Sequence, residues 1–266
     1  MRLPENLFKR ALIQGHQQIG LWCSLSSPYA AEIVAGSGFD WLMFDTEHSP
    51  NDLRTVLGQL QAVAAYPVST VVRPASNDVV LIKRLLDIGV QTLLIPYVQS
   101  ASEARKAVAA TRYAPDGVRG VAGLTRATRF GRVQGYAERA SDEICVIVQI
   151  ETQQSLDELE IIAAVDGVDG IFIGPADLAA SLGHVREPNH PVVREAVEDA
   201  VRRVLACGKP AGILTPDLAF AERCMEIGTT FTATGVDVGI LARGTEQLAM
   251  QSRSGYERLV EAEKCL

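Results

Sequence analysis

The chain has 266 residues, 47% of them hydrophobic, and a formal net charge of −7 at pH 7. That is ample apolar sequence for a large core, and the acidic balance excludes a surface built to hold nucleic-acid phosphates. No apolar run approaches the ~20 residues of a membrane span, and the opening "MRLPENLFKRALIQGHQQIG" is too polar for a secretory leader. A cytoplasmic protein with neither a nucleic-acid nor a membrane partner is therefore expected.

Short apolar runs alternate with helical periodicity. "IGLWCSL" (19–25) reads as a strand and "PYAAEIVAGSG" (28–38) as a helix opened by Pro28 and closed by glycine. "WLMFD" (41–45) is the next strand, followed by the helical "PNDLRTVLGQLQAVAAY" (50–66) with its 3.6-residue apolar period. "STVVRP" (69–74) and "TLLIP" (92–96) are strands, each followed by a helix, over 77–89 and 100–112. The stretch 113–136, "YAPDGVRGVAGLTRATRFGRVQGY", is rich in glycine and arginine and poor in regular pattern. "CVIVQIE" (145–151) is a clear strand, with a helix predicted over 155–165. "GIFIGP" (170–175), "AGILTP" (211–216) and "FTATGVD" (231–237) complete the strands. Helices are predicted over roughly 191–207, 217–227 and 239–250, and the tail 251–266 reads as a terminal helix or frayed end.

Eight nearly all-apolar strands, each followed by helical sequence, predict a single-domain α/β protein, a closed parallel (β/α)8 TIM barrel spanning 1–266 with its core over about 6–250. An open doubly wound sheet is the alternative, weakened because no G-x-G-x-x-G or P-loop follows any strand. The five cysteines, Cys23, Cys145, Cys207, Cys224 and Cys265, are odd in number and form no C-x-x-C pair, so neither a disulfide framework nor a zinc-finger pattern is present.

In such a barrel, chemistry gathers where strands end and the following loops begin. The second strand ends in Asp45, Glu47 and His48, the third in Arg73, the fifth in Gln149 and Glu151, and the sixth in Gly174, Ala176 and Asp177. Two carboxylates at neighbouring strand ends, Glu151 and Asp177, repel unless a cation or proton lies between them. An oxygen-only site suits Mg²⁺ or Mn²⁺; the alternative is that each acid pairs with an arginine or caps a helix. Backbone amides around "IGPAD" can bind an anion at a helix N-terminus or form an ordinary turn. Arg73 needs an anionic partner, which can be a substrate oxygen, Glu47 or Glu151. Beside a metal and two acids, His48 is a candidate general base. None of the five lysines, Lys9, Lys83, Lys106, Lys209 and Lys264, stands at a strand end, which sets Schiff-base chemistry aside.

Together, "GLW-x-x-LSSPYAAEI", "DWL-x-x-D-x-EH", "VVRP", "RYAPDGVRGV", "VQIET" and "GVDGIFIGPADL" resemble the HpcH/HpaI aldolases over about residues 6–250. The resemblance implies a metal-dependent (class II) pyruvate aldolase that cleaves a 4-hydroxy-2-oxo acid to pyruvate and an aldehyde, without an organic cofactor. It implies that Glu151 and Asp177 hold the divalent ion (Mg²⁺, Mn²⁺ or Co²⁺), that Arg73 contacts the pyruvate keto oxygen, and that His48 moves protons with Asp45 nearby. Gln149, Gly174 and Ala176 match positions around the metal and the pyruvate carboxylate, and Trp22 and Leu214 match the pocket lining. Asp87 matches an acid that approaches from a neighbouring subunit. A homo-oligomer is implied too, a hexamer built as a trimer of dimers with exchanged C-terminal helices.

Within the family, "DWLMFDTEHSPND" and "TLLIPYVQ" match best the enzymes that split 4-hydroxy-2-oxoheptanedioate into pyruvate and succinic semialdehyde. A 2-keto-3-deoxy sugar-acid aldolase of the rhamnonate or galactarate type is the alternative, and a non-catalytic barrel that binds a metal or oxo acid is the second. Two departures stand out: Thr46 replaces a glycine, and "GVAGLTRATRF" is one residue shorter than its counterpart. Arg126 and Arg129 in that loop either hold a distal substrate carboxylate or bind surface acids and subunit neighbours.

Overall fold

In the computed structural model, which describes residues 1–264, eight parallel strands close on themselves. They are β1 (Gln18–Cys23), β2 (Trp41–Asp45), β3 (Ser69–Arg73), β4 (Thr92–Ile95), β5 (Cys145–Ile150), β6 (Gly170–Ile173), β7 (Ala211–Leu214) and β8 (Phe231–Val236). Each pairs with the next in sequence, and β8 returns to β1. The (β/α)8 expectation is met.

Side chains alternate along each strand and so sort into two cores. In β2, Leu42 and Phe44 join the layer between sheet and helices, while Trp41 and Met43 join the smaller cluster inside the barrel. The interior is filled by rings: Trp22, Phe172, Phe231 and Trp41 contact one another in series at centroid separations of 5.6 to 6.5 Å. Glycines make the room. A Cβ on Gly20 would sit 2.1 Å from the Trp41 ring and one on Gly212 would sit 2.2 Å from Phe231.

A helix the sequence pattern did not announce, Leu7–Ile13, closes the bottom of the barrel. Only Phe8 and Leu12 are buried on it, too few to register as periodicity. Phe8 meets Trp41 and Phe231 edge-on, both at 5.8 Å. Asn6 caps this helix by accepting from the Lys9 amide at 3.0 Å.

Two other boundaries differ from expectation. The helix predicted over 155–165 is two short ones, Gln153–Asp157 and Leu159–Ala163, broken at Glu158. The last helix, Asp237–Lys264, runs 28 residues, well past the predicted 239–250, and takes in the tail. At 1.5 Å per residue it is about 42 Å long, and nearly every residue from 238 to 257 is exposed. The stretch 113–136 is irregular, as expected. The described cysteines are free, with Cys23, Cys145 and Cys224 buried; Cys265 lies outside the described residues. No helix among the described residues is long and apolar enough to cross a membrane.

Candidate active site

Parallel pairing of β2 with β3 sets Asp45 directly opposite Arg73 at the carboxyl ends of the strands. Arg73 grips the carboxylate with both edges of its fork, Nε to Oδ1 at 2.8 Å and Nη2 to Oδ2 at 2.7 Å. The Trp22 indole N–H donates to the same carboxylate at 3.3 Å, and the Trp22 ring lies 5.0 Å from the guanidinium carbon. Burial pushes the Asp45 carboxyl up, but the Arg73 hydrogen bonds and charge outweigh it and hold it below the usual carboxylate range. Burial likewise opposes the Arg73 charge, and Asp45 and Glu47 more than compensate, so Arg73 stays cationic.

Beyond Asp45 the chain is pinned turn by turn. The Asp45 carbonyl accepts from Ser49 Oγ and from Asn51 Nδ2, and its Oδ1 accepts from the Glu47 amide. Thr46, one of the two departures from the family pattern, donates its hydroxyl to the Arg73 carbonyl at 2.7 Å. This binding fixes Glu47 inward, where its Oε2 lies 2.9 Å from Arg73 Nη1, and leaves His48 outward. The His48 side chain is 65% exposed, and its Nε2 stands 3.8 Å from Glu47 Oε2.

Glu151 follows β5 and is only 3% exposed. Its Oε1 accepts from the Tyr97 amide at 2.8 Å, and its Oε2 accepts from Gln149 Nε2. Tyr97 reaches that position with φ of 54°, a left-handed conformation at the end of β4. Gly174 is required beside it, because a Cβ there would fall 2.6 Å from Glu151 Oε2 and 2.8 Å from Gln149 Nε2. Burial raises the Glu151 carboxyl to about 7; the Tyr97 amide opposes this, and the charges of Asp177 and Glu47 add to it. Glu47 is raised too, first by burial, with Arg73 and His48 opposing and Asp45 and Asp177 adding. Asp177 lies in the first turn of the helix Pro175–Ser181, which no side chain caps.

Beside these groups lies a cavity of about 240 Å³, smaller than the ~300–1,000 Å³ typical of drug-sized ligands. Polar groups from His48, Arg73, Gln149 and Asp177 face apolar walls from Trp22, Phe172, Leu214 and Phe220. Gly174 and Ala176 complete the floor. Nine of the residues expected at the site are therefore brought to one place at the carboxyl ends of the strands: Trp22, Asp45, His48, Arg73, Gln149, Gly174, Ala176, Asp177 and Leu214, with Glu151 behind Gly174.

Five contributors escaped the sequence reading: Tyr97, through its backbone; Phe172 and Phe220, which resemble any core aromatic; and the loop residues Pro188 and Asn189 at the rim. The left-handed Tyr97 had no sequence signal. Phe172 did have one, as an aromatic two residues before Gly174 on a strand already assigned.

Asp87 lies elsewhere. It ends the helix Val79–Asp87, at the barrel's amino-terminal pole, 3.6 Å from Arg119 Nη2. Its carbonyl accepts from the Ala127 amide, so the 113–136 loop packs onto it. Arg126 donates Nη1 to the Ile88 carbonyl at 2.7 Å. Arg126 and Arg129 line a separate depression with Gly89 and Gln91, away from the active cavity of their own chain.

The model of the HpcH/HpaI aldolase/citrate lyase family matches residues 18–243. A protein of Rhizobium etli named pyruvate aldolase is 67% identical over 249 residues, 94% of this chain and 98% of its own. A 4-hydroxy-2-oxo-heptane-1,7-dioate aldolase of Salmonella arizonae is 54% identical over 255 residues, 96% of each chain. The crystal structure of a family protein from Burkholderia cenocepacia superposes with a TM-score of 0.89 at 42% identity, covering 93% of this chain and 99% of that one. The chain belongs to the HpcH/HpaI aldolase/citrate lyase family and is a carbon–carbon lyase of the aldolase kind.

Proposed function

We propose that the chain is a divalent-metal-dependent pyruvate aldolase that cleaves 4-hydroxy-2-oxo acids, 4-hydroxy-2-oxoheptanedioate among them, to pyruvate and an aldehyde. One observation carries the reading. Four carboxylates, Asp45, Glu47, Glu151 and Asp177, converge, and Arg73 is the one arginine or lysine paired with them among the described residues. Arg73 is already engaged by Asp45 and Glu47. Burial raises Glu151 to about 7 and the charges of Asp177 and Glu47 add to it; this surplus of negative charge suits a cation.

Glu151 and Asp177 are the groups that would hold it. Their all-oxygen chemistry and the room left by Gly174 fit a small hard ion that retains waters and takes substrate oxygens. Such an ion supplies Lewis acidity toward the carboxylate and keto oxygens of a 2-oxo acid. Arg73 supplies the rest of the positive field. Of its five N–H groups, three are committed to Asp45 and Glu47, and a fourth reaches Gln149 only at 3.5 Å. One free and one weakly held donor therefore remain for charge developing on a keto oxygen. The first-turn amides of Ala176 and Asp177 are uncapped and suit a carboxylate.

His48, exposed at the cavity mouth and next to Glu47, takes the proton of the C4 hydroxyl. The C3–C4 bond then breaks, the aldehyde leaves, and the pyruvate enolate is protonated. In condensation these steps reverse.

The aldehyde end needs a second copy. Arg126 and Arg129, read as holding either a distal substrate carboxylate or surface acids and subunit neighbours, share the opposite pole with Asp87. We infer that Asp87 and this loop reach a neighbouring subunit's cavity. Exposed Val121, Leu124 and Phe130, and exposed Ile240, Leu241 and Leu248 on the long terminal helix, support a homo-oligomer with exchanged helices.

Exchange of pyruvate methyl protons in D₂O tests the shared half of the chemistry without an aldehyde. Exchange that needs Mg²⁺, Mn²⁺ or Co²⁺ and fails in R73K is expected. No exchange with any ion, alongside intact metal binding, would leave a barrel that binds without turning over.

A further inference from the structure

We propose that the loop between the helices Pro175–Ser181 and Pro191–Ala206 carries a second, separate divalent-metal site, formed by His184, Glu187 and His190, that takes a borderline ion such as Zn²⁺. Among the described residues, this is the one group of three or more histidine, cysteine or acidic side chains whose ligating atoms all lie within 4.8 Å of one another. It shares no residue with the carboxylate site and does not depend on the aldol reading.

The backbone arranges the three side chains. The Glu187 amide donates to the His184 carbonyl at 3.0 Å, and the His190 amide donates to the Glu187 carbonyl at 2.9 Å. Two successive turns of equal length thus bring positions 184, 187 and 190 to one side. Left-handed residues at Gly183 (φ 83°) and Arg186 (φ 67°) make the turns possible. The His184 and His190 rings stack at 3.6 Å, 17° from parallel, and His184 Nδ1 stands 3.8 Å from Glu187 Oε2.

Two imidazoles and one carboxylate form a donor set that prefers Zn²⁺ over Mg²⁺, the reverse of an all-oxygen pair. The rings are half-buried and Glu187 is exposed, so an ion can reach the three side chains from solvent. His190 Nδ1 now accepts from the Val192 amide at a long 3.3 Å, and binding an ion exchanges that weak helix cap for a ligand bond. The site also has an address. Pro188 and Asn189, between two of its ligands, line the active cavity, so an occupied site braces the rim.

The test is Zn²⁺ binding by equilibrium dialysis on E151Q/D177N, whose carboxylate site is disabled, and on the parent chain with excess Mg²⁺ filling that site. One Zn²⁺ per chain is expected in both, with imidazole scattering in its X-ray absorption spectrum. H184Q, and separately H190N, which keeps a capping side chain, should each weaken binding by at least the ~10–100-fold that even outer-shell changes cost. Zn²⁺ affinity unchanged by H184Q and H190N, or no Zn²⁺ bound under either condition, would overturn the proposal. Failure of the aldolase reading alone would leave the Zn²⁺ result intact.

Discussion

Asp45 and Arg73 end adjacent strands in direct register, and Arg73 closes on Asp45 through two hydrogen bonds of 2.8 and 2.7 Å. Both side chains are under a tenth exposed. The pair therefore does two things: it holds a guanidinium rigidly beside the cavity, and it keeps a buried charge compensated.

Breaking that pair is costly in stability as well as rate. D45N leaves Arg73 without its bidentate partner and should destabilise the fold by about 3 kcal/mol. The Asp45 carboxyl is lowered on folding. Its contribution is thus present above the unfolded value near 4 and lost as pH falls through the lower folded one. Urea unfolding of D45N and the parent should differ at neutral pH and converge in strong acid.

Glu151 behaves in the opposite sense. Its carboxyl rises from 4.5 to about 7 in the fold. The folded chain therefore keeps a proton that the unfolded chain releases, and this stabilises fully below about 4.3 and is lost as pH rises to about 7. In EDTA, the parent should lose roughly 3 kcal/mol relative to E151Q between pH 5 and pH 8. Equal pH slopes for the two chains would contradict a raised Glu151.

Gly174→Ala places a methyl 2.6 Å from Glu151 Oε2. The backbone conformation is extended and tolerates alanine, so the clash acts on the carboxylate. A drop of about 10–100-fold in metal affinity is expected, measured by titration. Stability should fall by about 1–3 kcal/mol, as in other overpacked sites.

His48→Ala removes an exposed ring whose nearest charged neighbour is Glu47 at 3.8 Å. Its stability should stay within about 0.5 kcal/mol of the parent, metal binding should persist, and the cleavage rate should fall by about 10²–10⁴. Equal turnover would remove His48 from the mechanism.

The barrel was legible because each strand is a nearly all-apolar run followed by helical sequence, and because helix caps such as Asp52 and Asp78 mark the turns. The site was legible because charge at the end of a buried strand, as in "WLMFD" or "CVIVQIE", has to be used or compensated. Tyr97 was not legible, because its contribution is a backbone amide in a left-handed turn and its side chain carries no signal. The pairing of Arg73 was open between Glu47, Glu151 and substrate; strand register decided for Asp45, with Glu47 second. The Leu7–Ile13 helix was missed because two buried residues are too few to show a period. Asp87 and Arg126 could not be positioned from local pattern, since their place depends on how a glycine- and arginine-rich loop folds back across the chain.

The most direct test is pyruvate release from racemic 4-hydroxy-2-oxoheptanedioate, measured with EDTA and then with Mg²⁺, Mn²⁺ or Co²⁺ added back, in the parent and in E151Q/D177N. Release abolished by EDTA, restored by one of the ions and absent from the double variant is the expected result. Release that survives EDTA and the loss of both carboxylates would contradict a metal-dependent aldolase built on Glu151 and Asp177.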